Sequence, residues 1–279
     1  MKVLEFFECD EGARRHWIEQ IKKSDWRAAR FLVELLTKDA SGLPCLGSPS
    51  CEFFRWWGAG SKIFLLVEGD ALLSFCSFAE KDDIPDCAFG PWIGFVYTFP
   101  QYRGKRRMGI LFTHIFKAAR SQGLKTIYIS THDEGIYEKY GFSFLKVMKD
   151  MGGEDSRIYK IDFEDKDYSG IIGKHVAGKI DRPLGSRHPR HPDMLYPVNY
   201  GYVEHVFAGD GAEQDVYLMG ADAPLRDFSG KVIAVWHRLN DVEDKWIAVP
   251  DGNTQSFSDE EIEEAIFFTE QYYVGELWR

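Results

Sequence analysis

The chain has 279 residues, of which 44% are hydrophobic and 15% aromatic, and its formal net charge is −10. This is the composition of a folded protein, and the acidic balance argues against a general nucleic-acid binder. No run approaches the roughly 18 apolar residues that a membrane span needs. Acids occupy the N-terminus where a secretory signal is apolar, so we expect a cytoplasmic protein with no membrane partner.

Charge divides the chain into two halves. Residues 1–160 hold 23 Lys and Arg against 21 Asp and Glu, whereas residues 161–279 hold 11 against 23. Such an asymmetry indicates separate domains. We predict one domain over 1–163, a linker over 164–170 (EDKDYSG) and a second domain over 171–279.

The first half alternates strands and helices. Helical spacing is found over 12–23 and 27–38, and KIFLLVEGDALLSFCSFAE (62–80) is typical of two strands around a turn. A further strand, WIGFVYTF (92–99), precedes a basic turn and an apolar helix. A strand, a short helix around EGIYEKY (134–140) and two closing strands complete this half.

The second half consists of short β segments separated by Gly and Asp turns, followed by one acidic helix, SDEEIEEAIFFTEQYY (258–273). Ser258 is the predicted N-cap of this helix, and Glu261 completes a capping box. The predicted fold class is α+β: a mixed α/β domain followed by a small β-barrel domain with a C-terminal helix.

Five cysteines lie in the first third of the chain and include no Cys-x-x-Cys pair. This pattern favours reduced thiols, whereas a zinc site or a disulfide framework is poorly supported. The residues are Cys9, Cys45, Cys51, Cys76 and Cys87.

The basic turn lies in FPQYRGKRRMGILF (99–112), between a strand and a helix. A helix start presents unpaired N–H groups that attract anions, and Gly104 lets the backbone approach a phosphate closely. A basic helix start is also a common solvated surface. The cations alone therefore leave both interpretations open.

The order of elements, with FPQYRGKRRMG (99–109) and IYEKYGF (136–142), resembles the GNAT superfamily of acyl-CoA-dependent N-acyltransferases over residues 1–160. The resemblance implies acetyl-CoA as cofactor, a small-molecule or peptide amine as substrate, and a strand before the turn that separates from its neighbour. Arg106 stands where the family pattern has a second small residue. The implied cofactor-binding residues are Tyr97, Thr98, Arg103, Gly104, Lys105, Arg106, Arg107, Met108 and Gly109.

Acyl transfer needs a neutral amine for attack and a proton for the leaving thiolate. The resemblance implies Tyr137 as the catalytic acid; the alternative is a packed aromatic residue, and Tyr140 is a weaker candidate. The strand WIGFVYTF carries no carboxylate, so no general base is apparent. Glu80, Asp82 and Asp83 are candidates to attract a cationic amine, although a solvated acidic loop is the commoner outcome.

In the second half, YPVNYGYVEHVFAGDGAEQD (196–215) and DVEDK (241–245) resemble the soluble Mg²⁺-dependent inorganic pyrophosphatases, over residues 172–279. Two positions depart from that family, Ala212 in place of an acid and Tyr273 in place of a lysine. The domain is accordingly either an active phosphohydrolase or a repurposed module that binds Mg²⁺, a phosphate or a partner. The implied metal ligands are Asp210, Asp215, Asp241 and Asp244, and the implied phosphate contacts are Tyr200, Lys245 and Arg187.

Three functions remain open at this point. The first is an N-acetyltransferase with an appended pyrophosphatase-like domain, which the retained Gly104 and Tyr137 favour. The second is a pyrophosphatase whose first domain only binds, and the third is a non-catalytic sensor of acetyl-CoA or phosphate. The sequence does not reveal the acceptor amine, coupling between the domains, or whether the protein forms a homo-oligomer.

Overall fold

In the computed structural model, which describes residues 1–279, the chain divides into two units, Met1–Glu164 and Asp165–Arg279. No helix in either unit has both the length and the apolar character that crossing a membrane requires.

Unit 1 contains a seven-stranded sheet with the order β1-β2-β3-β4-β5-β7-β6. Neighbouring strands are antiparallel except β4 and β5, which are parallel. The predicted hairpin over 62–80 is confirmed as β2 and β3. The strands are β1 (Lys2–Glu5), β2 (Lys62–Glu68), β3 (Ala71–Ala79), β4 (Trp92–Thr98), β5 (Thr126–Thr131), β6 (Ser143–Lys149) and β7 (Asp155–Asp162).

Four helices accompany this sheet: α1 (Glu11–Ile21), α2 (Arg27–Thr37), α3 (Glu52–Trp57) and α4 (Arg107–Ser121). The buried side of α2 carries Leu32, Val33, Leu35 and Leu36, which pack into one core with β2 and β3. Six-residue α3 was not predicted, because its pattern is too short to show a helical period. The predicted short helix near residue 137 is a 3₁₀ turn, Tyr137–Tyr140.

The expectation of reduced thiols is wrong for two of the five cysteines. Cys45 and Cys51 form a disulfide, while Cys9, Cys76 and Cys87 are free. The chain between α2 and α3 folds back on itself through isolated bridges, which bring the two Cα atoms to 5.5 Å, within the usual range for a disulfide. Sequence spacing alone does not show this approach.

Unit 2 is rich in sheet. Its pairings run β12-β10-β9-β8-β11, and β11 pairs again with β12, so these five strands form a closed ring; β13 extends it from β11. The predicted C-terminal helix is confirmed as α5 (Asp259–Glu270), including its capping box of Ser258 and Glu261. The strands are β8 (His175–Arg182), β9 (Asn199–Phe207), β10 (Glu213–Leu218), β11 (Asp227–Arg238), β12 (Lys245–Pro250) and β13 (Gly275–Trp278).

Candidate functional site

Most of the predicted cofactor-binding residues surround one cavity of about 410 Å³ in unit 1, which we call the cradle cavity. Two of the predicted residues do not line it: Lys105 is exposed on the turn, and Gly109 is buried inside α4. The predicted residues that line it are Tyr97, Thr98, Arg103, Gly104, Arg106, Arg107 and Met108.

The turn beside the cradle cavity has an unusual backbone. Gly104 has φ = 77° and Arg106 has φ = 50°, so both lie in the left-handed region. Glycine adopts this region freely, whereas an arginine is strained there by about 1–2 kcal/mol. The turn leads directly into α4, whose first N–H groups have no partner within the helix. The Nε atom of Arg107 is buried without a hydrogen-bond partner, and the Nη1 atom lies 2.6 Å from the sulfur of Met1.

Strand β4 separates from β5 beside this cavity. The two strands share a single pair, Trp92 with Tyr128, and no later residue of β4 pairs with β5. A bulge accompanies the separation, where Phe95 has φ = 48°. The backbone of β4 therefore keeps one edge open over residues 93–98, where an extended ligand could pair with it.

Tyr137 stands between the cradle cavity and a second cavity of about 760 Å³, and it lines both. Its ring packs against Phe112, Phe142 and Tyr159, with centroids 6.2–6.3 Å apart. Only 8% of the residue is exposed. Burial raises the pKa of the Tyr137 hydroxyl well above its ordinary value, so this hydroxyl keeps its proton at neutral pH.

The second cavity, which we call the acceptor cavity, contains two of the three acids that the sequence suggested. Asp82 and Asp83 both line it and are partly buried, and the Ser130 Oγ lies 2.7 Å from Asp82 Oδ2 and 3.0 Å from Asp83 Oδ1. Burial, and then the charge of Asp83, raises the pKa of Asp82 to about 7. Glu80 does not line this cavity. It is exposed, and its carboxylate accepts the Gly60 N–H at 2.7 Å.

In unit 2, the four predicted metal ligands make separate sets of contacts. Asp210 is exposed and accepts the N–H of Ala212 at 2.9 Å. Asp241 pairs with Arg238 at 2.9 Å, and Asp244 contacts His237 at 2.7 Å. Asp215 accepts hydrogen bonds from Tyr200 and Lys245.

Two of the three predicted phosphate contacts, Tyr200 and Lys245, therefore meet at Asp215, whereas the third, Arg187, does not. The amino group of Lys245, which is 4% exposed, also pairs with Glu243 at 2.6 Å. Burial raises the pKa of Glu243 to about 7. Arg187 is exposed and donates to the carbonyl oxygen of Pro192 at 2.6 Å.

The residues of unit 2 do not fit a Mg²⁺ cluster. No group of three or more His, Cys, Asp or Glu side chains in the structure could hold a metal ion. Cations of the chain already pair with two of the four predicted ligands: Lys245 lies against Asp215, and Arg238 lies against Asp241 and also against Glu270. The guanidinium of Arg238 also lies 3.5 Å from the ring centroid of Tyr273, where the pyrophosphatase resemblance implies a lysine.

Comparison with known proteins identifies part of unit 1. Residues 25–142 match the model of the Acetyltransferase (GNAT) family. The match covers 118 of the 279 residues, and all of them lie in unit 1. A comparison with curated proteins finds no match.

Solved structures are similar to different parts of the chain. Aminoglycoside 6'-acetyltransferase type Ii is 15% identical, with 60% of this chain and 100% of that chain covered and a TM-score of 0.40. A GNAT family acetyltransferase from Elizabethkingia anophelis with acetyl-CoA bound is 14% identical over 42% of this chain and 85% of its own, with a TM-score of 0.34. Inorganic pyrophosphatase from Ehrlichia chaffeensis is 20% identical, with 39% of this chain and 86% of that chain covered and a TM-score of 0.32.

Some residues of interest were missed or misjudged from the sequence. In unit 1, Ser130 was not considered, and Asp82 and Asp83 were judged more typical of a solvated loop. The sequence feature that could have indicated this site is the hydroxyl of Ser130 in TIYIST, which contacts both acids. In unit 2, Glu243 joins Asp215 and Lys245, whereas the predicted Asp244 contacts His237 and Tyr168 instead.

Proposed function

We propose that unit 1 is an N-acetyltransferase that moves the acetyl group of acetyl-CoA to an amine. The match of residues 25–142 to the GNAT family supports acyl transfer. The observation that carries the proposal is the position of Tyr137 between the cradle cavity and the acceptor cavity. A hydroxyl there reaches both the leaving group and the attacking group of a transfer reaction.

The cradle cavity fits the phosphates and the arm of acetyl-CoA. Arg103, Arg106 and Arg107 supply positive charge, and the start of α4 supplies unpaired N–H groups. The guanidinium of Arg107, which lines the cavity, would donate a hydrogen bond to a phosphate. The open edge of β4 over residues 93–98 would pair with the amides of the pantetheine arm.

When bound, acetyl-CoA supplies a thioester carbon that an amine can attack. The chain holds the amine in line with that carbon, which by itself accelerates the reaction. Tyr137, kept protonated by its burial, donates its hydroxyl proton to the departing sulfur. Strand β4 bends at Phe95, and the next two residues, Val96 and Tyr97, line both cavities.

Calorimetry with acetyl-CoA tests the binding half of this proposal. We expect Arg107→Ala to weaken binding about tenfold or more, which is the loss of a hydrogen bond to a charged group. Lys105→Ala is the matched control, because it removes the same charge from the same turn at a residue outside the cavity. Absence of acetyl-CoA binding at micromolar concentration would overturn the proposal.

Release of the CoA thiol in the presence of primary amines tests the catalytic half. We expect Tyr137→Phe to lower turnover about 100-fold while leaving the affinity for acetyl-CoA unchanged, since only proton transfer is lost. An unchanged rate would remove Tyr137 from the role of acid. Binding without any transfer by the wild type would favour the sensor alternative.

For unit 2, Mg²⁺ binding, phosphate binding and pyrophosphate hydrolysis stay predictions that rest on resemblance alone. Asp215 and its neighbours are neutralised within the chain, so their geometry gives no support to a metal-dependent reaction.

A further inference from the structure

The acceptor cavity combines aromatic and acidic walls. Trp26, Phe95, Trp57 and Phe31 follow one another along it, with successive ring centroids 6.4, 5.3 and 6.1 Å apart. Asp82 and Asp83 form the acidic part, and neither makes an ion pair within the chain. Aromatic faces attract both apolar groups and cations, and unpaired carboxylates attract cations. The cavity therefore suits a ligand with a cationic head and an apolar body.

A third cavity, of about 500 Å³, adjoins the acceptor cavity and shares Trp57, Asp82 and Met151 with it. Its other lining is mostly apolar, including Ile84, Ala88, Phe89 and Trp92. Trp57 is 4% exposed, and its indole N–H has no hydrogen-bond partner although it borders both spaces. Trp57 therefore forms part of the wall that the two cavities share.

Gly94 on β4 lines the acceptor cavity at a point where the wall is tightly packed. At the position where a Cβ on Gly94 would lie, the nearest atoms are Ser77 Oγ at 3.1 Å and Asp82 Oδ1 at 3.5 Å. A side chain larger than that of glycine would therefore crowd Ser77 and Asp82, and glycine keeps β4 close to the Asp82 carboxylate.

We propose that the acceptor is a primary amine with a single cationic head and an apolar or aromatic body, and that Asp82, positioned by Ser130, removes the proton from that head. The proposal rests on the proposed acetyltransferase function and specifies its substrate class and base. Asp82 is the catalytic residue here, because it touches the reacting nitrogen. Ser130 acts through Asp82 and is a positioning residue.

The proton balance closes without a further reactant. The ammonium R–NH₃⁺ gives one proton to the Asp82 carboxylate and becomes the neutral amine. Its nitrogen forms a C–N bond with the thioester carbon, and the C–S bond breaks with its electron pair going to sulfur. Tyr137 protonates the sulfur and recovers a proton from the new amide nitrogen. The products are R–NH–CO–CH₃, the CoA thiol and a protonated Asp82, which releases its proton to water.

The acid pair carries negative charge that an ammonium would neutralise. The pKa of Asp82 lies at about 7, so this carboxyl is partly ionised near neutral pH, and burial also raises the pKa of Asp83 beside it. Asp25, also on this cavity, is already engaged by the Tyr97 hydroxyl at 2.6 Å. The other titratable or charged groups around the pair are Cys76, Lys81, Arg103, His132, Asp133, Tyr137 and Asp150.

The test measures kcat/KM of the full chain with acetyl-CoA and four amines: 2-phenylethylamine, hexylamine, ethanolamine and spermidine. We expect the two apolar amines to exceed ethanolamine and spermidine at least about tenfold, because only their bodies bury apolar surface. Equal or higher kcat/KM for ethanolamine or spermidine would overturn the substrate class. Acetyl-CoA calorimetry on the same sample separates the two proposals, since absent binding there refutes the acetyltransferase function itself.

Variants test the base. We expect Asp82→Asn to lower kcat about 100-fold with unchanged affinity for acetyl-CoA, and to abolish the rise of kcat/KM with pH through about 7. Ser130→Ala should change the pH at which kcat/KM rises, which a loss of activity from structural damage alone would not do. Glu80→Gln is the matched control, since Glu80 lies two residues from Asp82 but outside the cavity. A pH profile of Asp82→Asn identical to the wild type would refute the role of Asp82.

Discussion

Replacing Asp82 by asparagine should stabilise unit 1 at alkaline pH while removing its activity. Burial and the neighbouring Asp83 raise the pKa of Asp82 in the folded protein to about 7, whereas an unfolded aspartate titrates near pH 3.9. Between these values the folded state binds more protons than the unfolded state, so stability falls as the pH rises. The stability that protonated Asp82 gives the folded state is fully present below about pH 4 and is lost above about pH 7.

The size of the effect follows from the shift. About three pKa units correspond to about 4 kcal/mol, and because Asp83 shares Ser130 with Asp82, part of that cost persists in the variant. We therefore expect Asp82→Asn to be about 2–4 kcal/mol more stable than the wild type at pH 8 and equal to it at pH 4. The asparagine carbonyl still accepts the hydrogen bond that the Ser130 hydroxyl donates to Asp82.

Differential scanning calorimetry of the full chain at a series of pH values measures this difference. For a domain of this size, each kcal/mol shifts Tm by about 2–4 °C. Glu80→Gln, whose carboxylate is exposed, should follow the wild type at every pH. If Asp82→Asn melts at or below the wild-type temperature at pH 8, then the acid pair is not a destabilising, ligand-ready site, and the reasoning about the acceptor cavity fails.

Three further predictions concern the turn and unit 2. Arg106→Gly should stabilise the protein by about 1 kcal/mol in thermal unfolding, because φ = 50° suits glycine, whereas Arg106→Ala keeps the strain and should give no such gain. Glu270→Ala should cost about 2–3 kcal/mol in urea unfolding, since it removes the two hydrogen bonds that the buried Arg238 guanidinium donates to Glu270 and leaves Asp241 as its partner; a loss below about 1 kcal/mol would contradict this. Mg²⁺ at millimolar concentration should leave Tm unchanged, because Lys245 already neutralises Asp215; a rise that Asp215→Asn abolishes would restore the metal site.

Local sequence patterns predicted those parts of the fold that depend on neighbouring residues. The capping box of Ser258 and Glu261 and the hairpin over 62–80 are examples, because their determinants lie within a few positions of each other. The basic turn before α4 belongs to this class too, since Gly104 lies in the turn itself. The left-handed backbone of Arg106 shows that the turn keeps its shape without a second glycine.

Contacts between residues that are distant in sequence determine the features that the sequence patterns did not predict. Asp82 and Asp83 look like loop acids until β5 brings Ser130 against them, 47 and 48 positions away. In unit 2, spacing does not reveal which of two adjacent acids faces Asp215. The structure shows that Glu243 does so through Lys245, while Asp244 faces His237. Cys45 and Cys51 likewise meet only because the intervening loop folds back.

The acids of the two units differ in what neutralises them, and this difference decides where a cation can bind. In unit 2 the amino group of Lys245 lies between Asp215 and Glu243, so an incoming cation would have to displace it and leave a buried charge unpaired. In unit 1 the side chains of Asp82 and Asp83 share the neutral hydroxyl of Ser130. Burial raises the pKa of both carboxyl groups, so a ligand cation would stabilise their ionised forms. A cationic amine in the acceptor cavity would therefore form new ion pairs, whereas a metal ion in unit 2 would have to break existing ones.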